Sequence, residues 1–295
     1  MTEPYATTAD NATDSTAFRA TTPLMIGSEE HKQRFCHMLL DSFDAYKPTI
    51  IAWPKLEADA LARLTGLPFW DIAVQTEGYA SRRVQALADC LADPLLKEAV
   101  QLNAFEEGRH KLVLEHMVRF YGIALAPEPD YTTPRDAEWA FIRTGYGECL
   151  DSFFAFGLFK MARDSGFFPA ELVEVFEPVI REESRHILFF VNWVAWQAAQ
   201  KPLPARLWFR ARCLTALVTS IAGRMTIAGS ADGGKSGDNF VVTGGAALTA
   251  ALTPRSFILT CLSENERRMA GLDSSLLRPK IMPTLARMAL FFFKK

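Results

Sequence analysis

The chain has 295 residues, of which 49% are hydrophobic and 22% are charged, and its formal net charge is −2. This length and composition exclude a wholly disordered chain and allow one large domain or two small ones. The near balance of charges argues against a general nucleic-acid-binding protein. Five cysteines without a CxxC pair argue against a disulfide framework or a zinc–thiolate site. They favour a reducing compartment, so we expect a cytoplasmic protein.

The N-terminal part of the chain predicts a tail followed by short helices. Residues 1–22 are rich in Thr, Ala and Asp and lack an apolar segment, which indicates a flexible tail rather than a secretory signal. Helical pieces are expected within 28–46 and 56–64. The longest apolar stretch, 213–223, is too short to cross a bilayer, so no transmembrane segment is expected.

Four long helical segments form the middle of the chain, in two pairs separated by a proline-rich linker at 123–134. They are expected at about 70–91, 94–121, 134–164 and 169–200. Two pairs of long helices are typical of a four-helix bundle. We therefore predict one domain over 23–200, with the bundle at about 70–200, and a C-terminal helical extension over 201–295 that packs on it.

Two matching pentapeptides lie inside long helical segments. Residues 106–110 are Glu-Glu-Gly-Arg-His, and residues 182–186 are Glu-Glu-Ser-Arg-His. A spacing of three residues places a glutamate and a histidine on the same side of a helix, about 60° apart. Glu107 with His110, and Glu183 with His186, can therefore each bind one metal ion, and such mixed donors suit iron or manganese.

Each of the other two helices is expected to supply one more glutamate. Antiparallel neighbours place such a partner some thirty residues upstream. Glu77 lies 30 residues before Glu107, and Glu148 lies 35 residues before Glu183. Both glutamates stand among apolar residues, where burial is costly unless the carboxylate is paired or coordinates a metal.

Together, these motifs resemble those of the ferritin-like di-iron carboxylate proteins, over about residues 70–200. The E-E-x-R-H form is similar to the D-E-x-R-H motif of bacterial multicomponent monooxygenase hydroxylases, with Glu in place of Asp. The resemblance implies an all-α, ferritin-like four-helix bundle with additional N- and C-terminal helices. It also implies two iron ions, with a Mn/Fe pair left open, and six ligands: Glu77, Glu107, His110, Glu148, Glu183 and His186.

In those hydroxylases the acid before each ligand glutamate supports the histidine of the opposite motif. The resemblance therefore implies that Glu106 and Glu182 hold the opposite histidines, with Arg109 and Arg185 as their ion-pair partners. Such supporting contacts set the tautomer and orientation of a metal-binding histidine.

The third long helix is the predicted catalytic helix. Ser152 lies one turn after Glu148, and its hydroxyl resembles the threonine that related oxygenases use in handling oxygen. The alternative, that this hydroxyl bonds the Glu148 carbonyl, stays open. Gly145 and Gly147 weaken the helix and predict a local distortion that opens a substrate site. Candidates for lining that site are Phe153, Phe154 and Phe156.

Two other sequence features carry less weight. Val179 stands where arylamine-oxidising members of the family carry an extra histidine, which argues against an amine N-oxygenase. Residues 229–236 match GxxxxGK[ST], but an apolar helical stretch precedes them where a phosphate loop needs a strand. We expect this segment to be a flexible loop, and only residues 240–243 indicate a short strand or extended loop.

The expected function is an O₂-dependent di-iron monooxygenase or oxidase. It would hydroxylate, desaturate or otherwise oxidise a small or lipid-like organic substrate, with O₂ as co-substrate. No flavin or iron–sulfur motif is visible, so a separate electron-donor protein is expected, and a homodimer is left open. The alternatives are a ferritin-like ferroxidase or iron-handling protein and, last, an assembly protein with a vestigial metal site.

Overall fold

The computed structural model of the chain describes residues 24–229 and 253–293. Within these ranges the prediction of an all-α protein is confirmed, since they contain ten α-helices, one short 3₁₀ helix (Pro48–Ile50) and no strand. The helices are α1 (Glu29–Leu40), α2 (Ala58–Thr65), α3 (Trp70–Cys90), α4 (Pro94–Phe120), α5 (Ala137–Ser165), α6 (Ala170–Val175), α7 (Glu177–Gln200), α8 (Leu203–Gly229), α9 (Pro254–Ala270) and α10 (Ile281–Ala289). The predicted tail at 1–22, the loop at 230–236 and the candidate strand at 240–243 lie outside the described residues.

Local sequence signals determine where the long helices begin and end. The Asp93 carboxylate accepts the backbone N–H of Leu96, and Pro94 occupies the first turn of α4. The Asp136 carboxylate caps α5 in the same way, and α5 ends at Gly166 with a left-handed φ of 64°. These signals place the helix ends close to the positions that the sequence predicts.

The fourth predicted helix is divided into two, which corrects the single segment expected at 169–200. α6 ends at Val175, and α7 begins at Glu177. Pro178 lies in the first turn of α7, where its missing N–H cannot continue the hydrogen-bond ladder of α6.

Four long helices, α3, α4, α7 and α5, form a ring in which each helix contacts two others. This arrangement is compatible with the predicted ferritin-like bundle. α1 packs against both α4 and α7 and covers the groove between them. α8 and α9 pack against α5 and α7, and α10 packs against α9 and α5. None of the described helices has the length and apolar character needed to cross a membrane.

The distortion expected at the two glycines of α5 is not present. α5 is a continuous α-helix from Ala137 to Ser165. A Cβ atom added to Gly145 would lie 2.2 Å from the Phe190 ring of α7, so this glycine permits the close approach of α5 and α7. Gly147 has more room, since its added Cβ would lie 3.2 Å from the Arg224 guanidinium. Gly145 is therefore a packing residue rather than the origin of a helix bulge.

Candidate metal centre

Four side chains from three helices of the ring meet at its centre. Glu77 of α3, Glu107 and His110 of α4, and Glu183 of α7 each offer one ligand atom, and these atoms all lie within 4.8 Å of one another. Glu107 and His110 are almost fully buried. The three-residue spacing on α4 places this carboxylate and this imidazole on one face, as the sequence predicts.

The other two predicted ligands join the same cluster. The Nδ1 atom of His186 lies 2.9 Å from Oε1 of Glu107, and the rings of His110 and His186 are 5.7 Å apart. Glu148 of α5 lines the same cavity as Glu107 and Glu183. The structure thus brings together all six residues that the sequence predicts as ligands.

The pattern of unpaired atoms fits a bound metal. Four buried ligand atoms make no hydrogen bond of acceptable geometry: Oε1 of Glu107, Nδ1 of His110, Oε1 of Glu148 and Nδ1 of His186. Two of the contacts are nevertheless close, since Nδ1 of His186 lies 2.9 Å from Oε1 of Glu107 and Nδ1 of His110 lies 3.1 Å from Oε1 of Glu183. Buried polar atoms are normally hydrogen-bonded, so four exceptions in one cluster need a common explanation. A metal ion would satisfy all four, because carboxylate oxygen and imidazole nitrogen are its usual protein donors.

Without a metal, the cluster holds protons. Burial raises the pKa of Glu77 to about 8, although nearby His110 opposes the shift. Burial, together with the charges of Glu107 and Glu183, raises the pKa of Glu148 well above its usual range. Burial alone would lower the pKa of His186, but the carboxylates around it raise that pKa to about 10. The pKa of His110 is likewise raised, because the surrounding glutamates outweigh its burial.

Behind the cluster, four buried side chains form a closed network of ion pairs and hydrogen bonds, here called the lattice: Glu106, Glu182, Arg109 and Arg185. Nε2 of His110 donates to Glu182 at 2.9 Å, and Nε2 of His186 donates to Glu106 at 2.7 Å. Each supporting carboxylate therefore comes from the opposite motif. These bonds use the Nε2 atoms and leave both Nδ1 atoms directed at the cluster.

The arginines complete this lattice across the two helices. Arg109 donates to Glu182 at 2.6 Å, and Arg185 donates to Glu106 at 2.7 Å. All four side chains are buried. Burial would raise the pKa of Glu106, but His186 and Arg185 together lower it to about 2. Each buried charge thus has an opposite partner, which such burial requires.

Residues of α1 and of the segment 41–46 that follows it cover the lattice, and no sequence motif identifies them. The Leu39 carbonyl accepts from Arg185 at 3.1 Å, and the Asp44 carbonyl accepts from Arg109 at 2.6 Å. The Tyr46 hydroxyl donates to Glu182 at 3.3 Å, and its ring lies 4.0 Å from the Arg109 guanidinium. No local pattern marks these residues, because their partners lie more than sixty positions away in the chain.

On its other side, the cluster faces an apolar cavity of about 260 Å³. Residues of α2, α3, α4, α5, α6 and α7 line it, among them Leu64, Trp70, Met117, Phe159 and Val179. Its polar lining lies mostly beside the cluster, where Ser152 donates to Oε2 of Glu183 at 3.3 Å. The hydroxyl therefore contacts a predicted ligand, and the bond to the Glu148 carbonyl is not formed.

The three phenylalanines proposed as lining residues do not line this cavity. Phe153 packs with Cys261 and Ala286, and Phe154 packs beside them against Phe257. Phe156 packs with residues of α7 and α9. The three phenylalanines therefore anchor the C-terminal helices to α5, while Ser152 and Ala155 reach the cavity.

Comparison with protein-family models gives no match to this chain, and comparisons with curated proteins and with solved structures give none either. The class of the protein therefore rests on its own fold and site. It is a helical protein with a buried cluster of glutamates and histidines that could hold a metal ion.

Proposed function

We propose that this chain is a ferritin-like di-iron protein that activates O₂ and oxidises a small or lipid-like organic substrate. One observation carries this proposal, namely that the carboxylate–histidine cluster opens directly onto an apolar cavity. A metal site that serves only to stabilise a fold needs no such cavity. A site that oxidises an organic molecule needs space for that molecule beside the metal.

The donor set supports a pair of iron ions. Four carboxylates and two imidazoles suit iron or manganese, and no cysteine belongs to the cluster. Glu107 lies between the two histidines, since its oxygens are 3.9 Å from Nδ1 of His110 and 2.9 Å from Nδ1 of His186. This position suits a carboxylate shared by two ions. A mixed Mn/Fe pair would use the same donors.

When bound, the two ions would supply the redox chemistry that reduces O₂, with electrons from a separate donor protein. The chain itself holds the ligands, excludes water and positions the substrate. The lattice of Glu106, Glu182 and the two arginines keeps the imidazoles in one tautomer and orientation. The unpaired Oε1 atom of Glu148 leaves that carboxylate free to change its binding mode, and Ser152 places a hydroxyl beside Glu183.

The apolar walls of the cavity favour oxidation of an organic substrate over the alternative of iron storage or ferroxidase activity. A path that carries hydrated iron to the cluster would need polar or charged walls, whereas this cavity is lined mostly by aliphatic and aromatic residues. An organic substrate of low polarity fits such walls better.

Metal quantification followed by oxygen-uptake measurements tests the proposal. After anaerobic reconstitution with ferrous iron, we expect about two ions per chain, held by the paired Glu-x-x-His motifs. With a chemical reductant, O₂ consumption should rise when apolar organic compounds are added. Folded protein that binds almost no iron would contradict the metal site. Iron-loaded protein whose O₂ uptake is independent of every organic compound, and which forms a large cage on gel filtration, would favour iron storage.

A further inference from the structure

The charges of this protein are divided unequally along the chain. Residues 201–295 contain 14 Lys and Arg against five Asp and Glu, a formal charge of +9. Residues 1–200 contain the remaining 18 basic and 29 acidic residues, a formal charge of −11. The net charge of −2 is therefore the sum of an acidic N-terminal part and a basic C-terminal part. Such a charge asymmetry indicates an anionic partner for the basic part.

Exposed apolar side chains are concentrated in the same part. Twelve of the nineteen large hydrophobic side chains that are exposed in the described residues belong to the chain after position 200. Scattered exposed hydrophobic residues are normal, but a concentration of them marks an interaction surface. The last described helix, α10, shows this most clearly.

The two faces of α10 have different surroundings. Pro283 and Ala286 are buried, and Met282 packs with the cluster formed by α5 and α9. On the opposite face, Ile281, Leu285 and Met288 are exposed. These three positions share one side of a helix, because they are spaced by four and three residues. α10 is therefore fixed by one apolar face, and its second apolar face has no partner among residues 24–229 and 253–293.

The segment after α10 extends this exposed face. Phe291 and Phe292 are 88% and 84% exposed. The Arg255 guanidinium of α9 donates to the carbonyls of Leu290 and Phe293, which holds this segment against the protein. The exposed aromatic rings thus belong to a fixed surface feature.

All charged residues in the sequence of α10 and its flanking segments are basic. Between positions 274 and 295 the sequence contains five basic residues and no acidic one. Lys280 and Arg287 are exposed on α10 or next to it, and Lys294 and Lys295 follow the phenylalanines in the sequence. A helix with an exposed apolar face and only basic charged residues is typical of one that lies in a membrane interface.

We propose that α10 and residues 291–293 attach the protein to the surface of an anionic lipid bilayer. The apolar side chains would enter the boundary between headgroups and acyl chains, and the basic side chains would contact the lipid phosphates. A two-fold contact between two copies through this face is disfavoured, because it would bring the same basic residues together. The attachment does not depend on the metal centre.

Vesicle co-sedimentation of the full chain tests this proposal. We expect binding to vesicles of phosphatidylcholine mixed with phosphatidylglycerol, and much weaker binding to phosphatidylcholine alone. Binding should weaken as salt is added, because the lipid charges attract basic side chains over about a Debye length. Failure to bind the anionic vesicles, or equal binding to both kinds, would overturn the proposal.

Matched variants locate the binding surface. The double change Phe291→Ser and Phe292→Ser should reduce partitioning to anionic vesicles by about tenfold or more, since it removes two apolar anchors. Lys280→Glu with Arg287→Glu should also reduce it. The control is Phe120→Ser with Arg119→Glu, an exposed aromatic and basic pair at the end of α4. Loss of binding in the control but not in the α10 variants would place the surface elsewhere.

Gel filtration separates lipid binding from self-association. We expect the elution volume of the parent protein to be independent of concentration and unchanged by the two phenylalanine substitutions. If the parent instead forms an oligomer that these substitutions dissociate, and it does not bind vesicles, then a second copy of the chain is the partner and the proposal is wrong.

Discussion

The two sides of the carboxylate–histidine cluster are built in opposite ways. Behind the histidines, every carboxylate is paired with an arginine or an imidazole, and α1 with the segment after it covers the lattice. In front, Glu148 keeps an unpaired oxygen and apolar side chains surround a cavity. One side holds the ligands in place, and the other leaves them free to bind something else.

This difference shows how a buried cluster can be both rigid and reactive. The lattice is electrically balanced and hydrogen-bonded, so the orientation of each imidazole is set before any metal binds. The cavity side has few polar partners, so the carboxylates there can hold protons or a metal. Substitutions on each side can therefore measure what that side contributes to iron binding and to turnover.

The largest effect is expected from removing a nitrogen ligand. His110→Ala and His186→Ala should each lower the iron content from about two ions per chain to about one or fewer, because each histidine is one of two neutral donors. Circular dichroism should show that the helices are retained. His116→Ala, also on α4 but outside the cluster, is the control and should load iron like the parent protein. If the two ligand variants also load like the parent, the ligand assignment is wrong.

Weakening the lattice should have the next largest effect. Glu106→Gln and Glu182→Gln keep the side-chain shape but remove the charge that holds a histidine and an arginine. We expect iron affinity to fall by about 10–100-fold, as measured by competition with a chelator. Glu115→Gln, which loses only a pair with Lys111 at the edge of α4, is the control. Unchanged affinity in both lattice variants would mean that these carboxylates serve only packing.

The pH dependence of metal binding should distinguish the two sides. Glu106, with a pKa of about 2, is ionised at neutral pH, whereas Glu77 and His186, at about 8 and 10, hold protons. Metal binding must displace the protons on the ligands. Iron affinity should therefore rise with pH, by about tenfold per unit for each proton released, until about pH 8, where Glu77 is ionised without metal, and less steeply from there to about pH 10, where His186 loses its proton. A pH-stat titration should record this release. Affinity that is independent of pH would contradict it.

Partial filling of the cavity should have the smallest effect of the four. It should not change the iron content, and it should lower the turnover of bulky substrates more than that of small ones. Ala155 of α5 lines the cavity about two helical turns from Glu148. Ala155→Phe should leave the iron content unchanged. It should lower the turnover of a bulky substrate several-fold more than that of a small one, because the difference in transition-state binding between the two substrates should change by about 1–3 kcal/mol. Ala211→Phe, at an exposed position of α8, is the control. Equal losses for both substrate sizes would show that substrate does not occupy this cavity.

The sequence alone determined the features that depend on short spacing. The all-α class, most helix ends and the pairing of each glutamate with a histidine three residues later follow from the helical period and from local capping residues. The positions of Glu77 and Glu148 could also be predicted, because antiparallel helices with short connections bring residues about thirty positions apart to the same level. Pro178 is also present in the sequence, but the apolar pattern around it predicts one helix where the structure has α6 and α7.

Only the tertiary structure decided which surfaces meet. The position of Phe153 and Phe156 after Glu148 predicts that they line the cavity, but α9 and α10 pack over them. Gly145 reads as a weak point of α5 in the sequence, whereas in the fold the Phe190 ring of α7 leaves no room there for a side chain. Tyr46 completes the lattice without any motif of its own. Helical spacing places residues on the same face of a helix, but contacts between distant segments depend on how whole helices pack, and no short stretch of sequence encodes that packing.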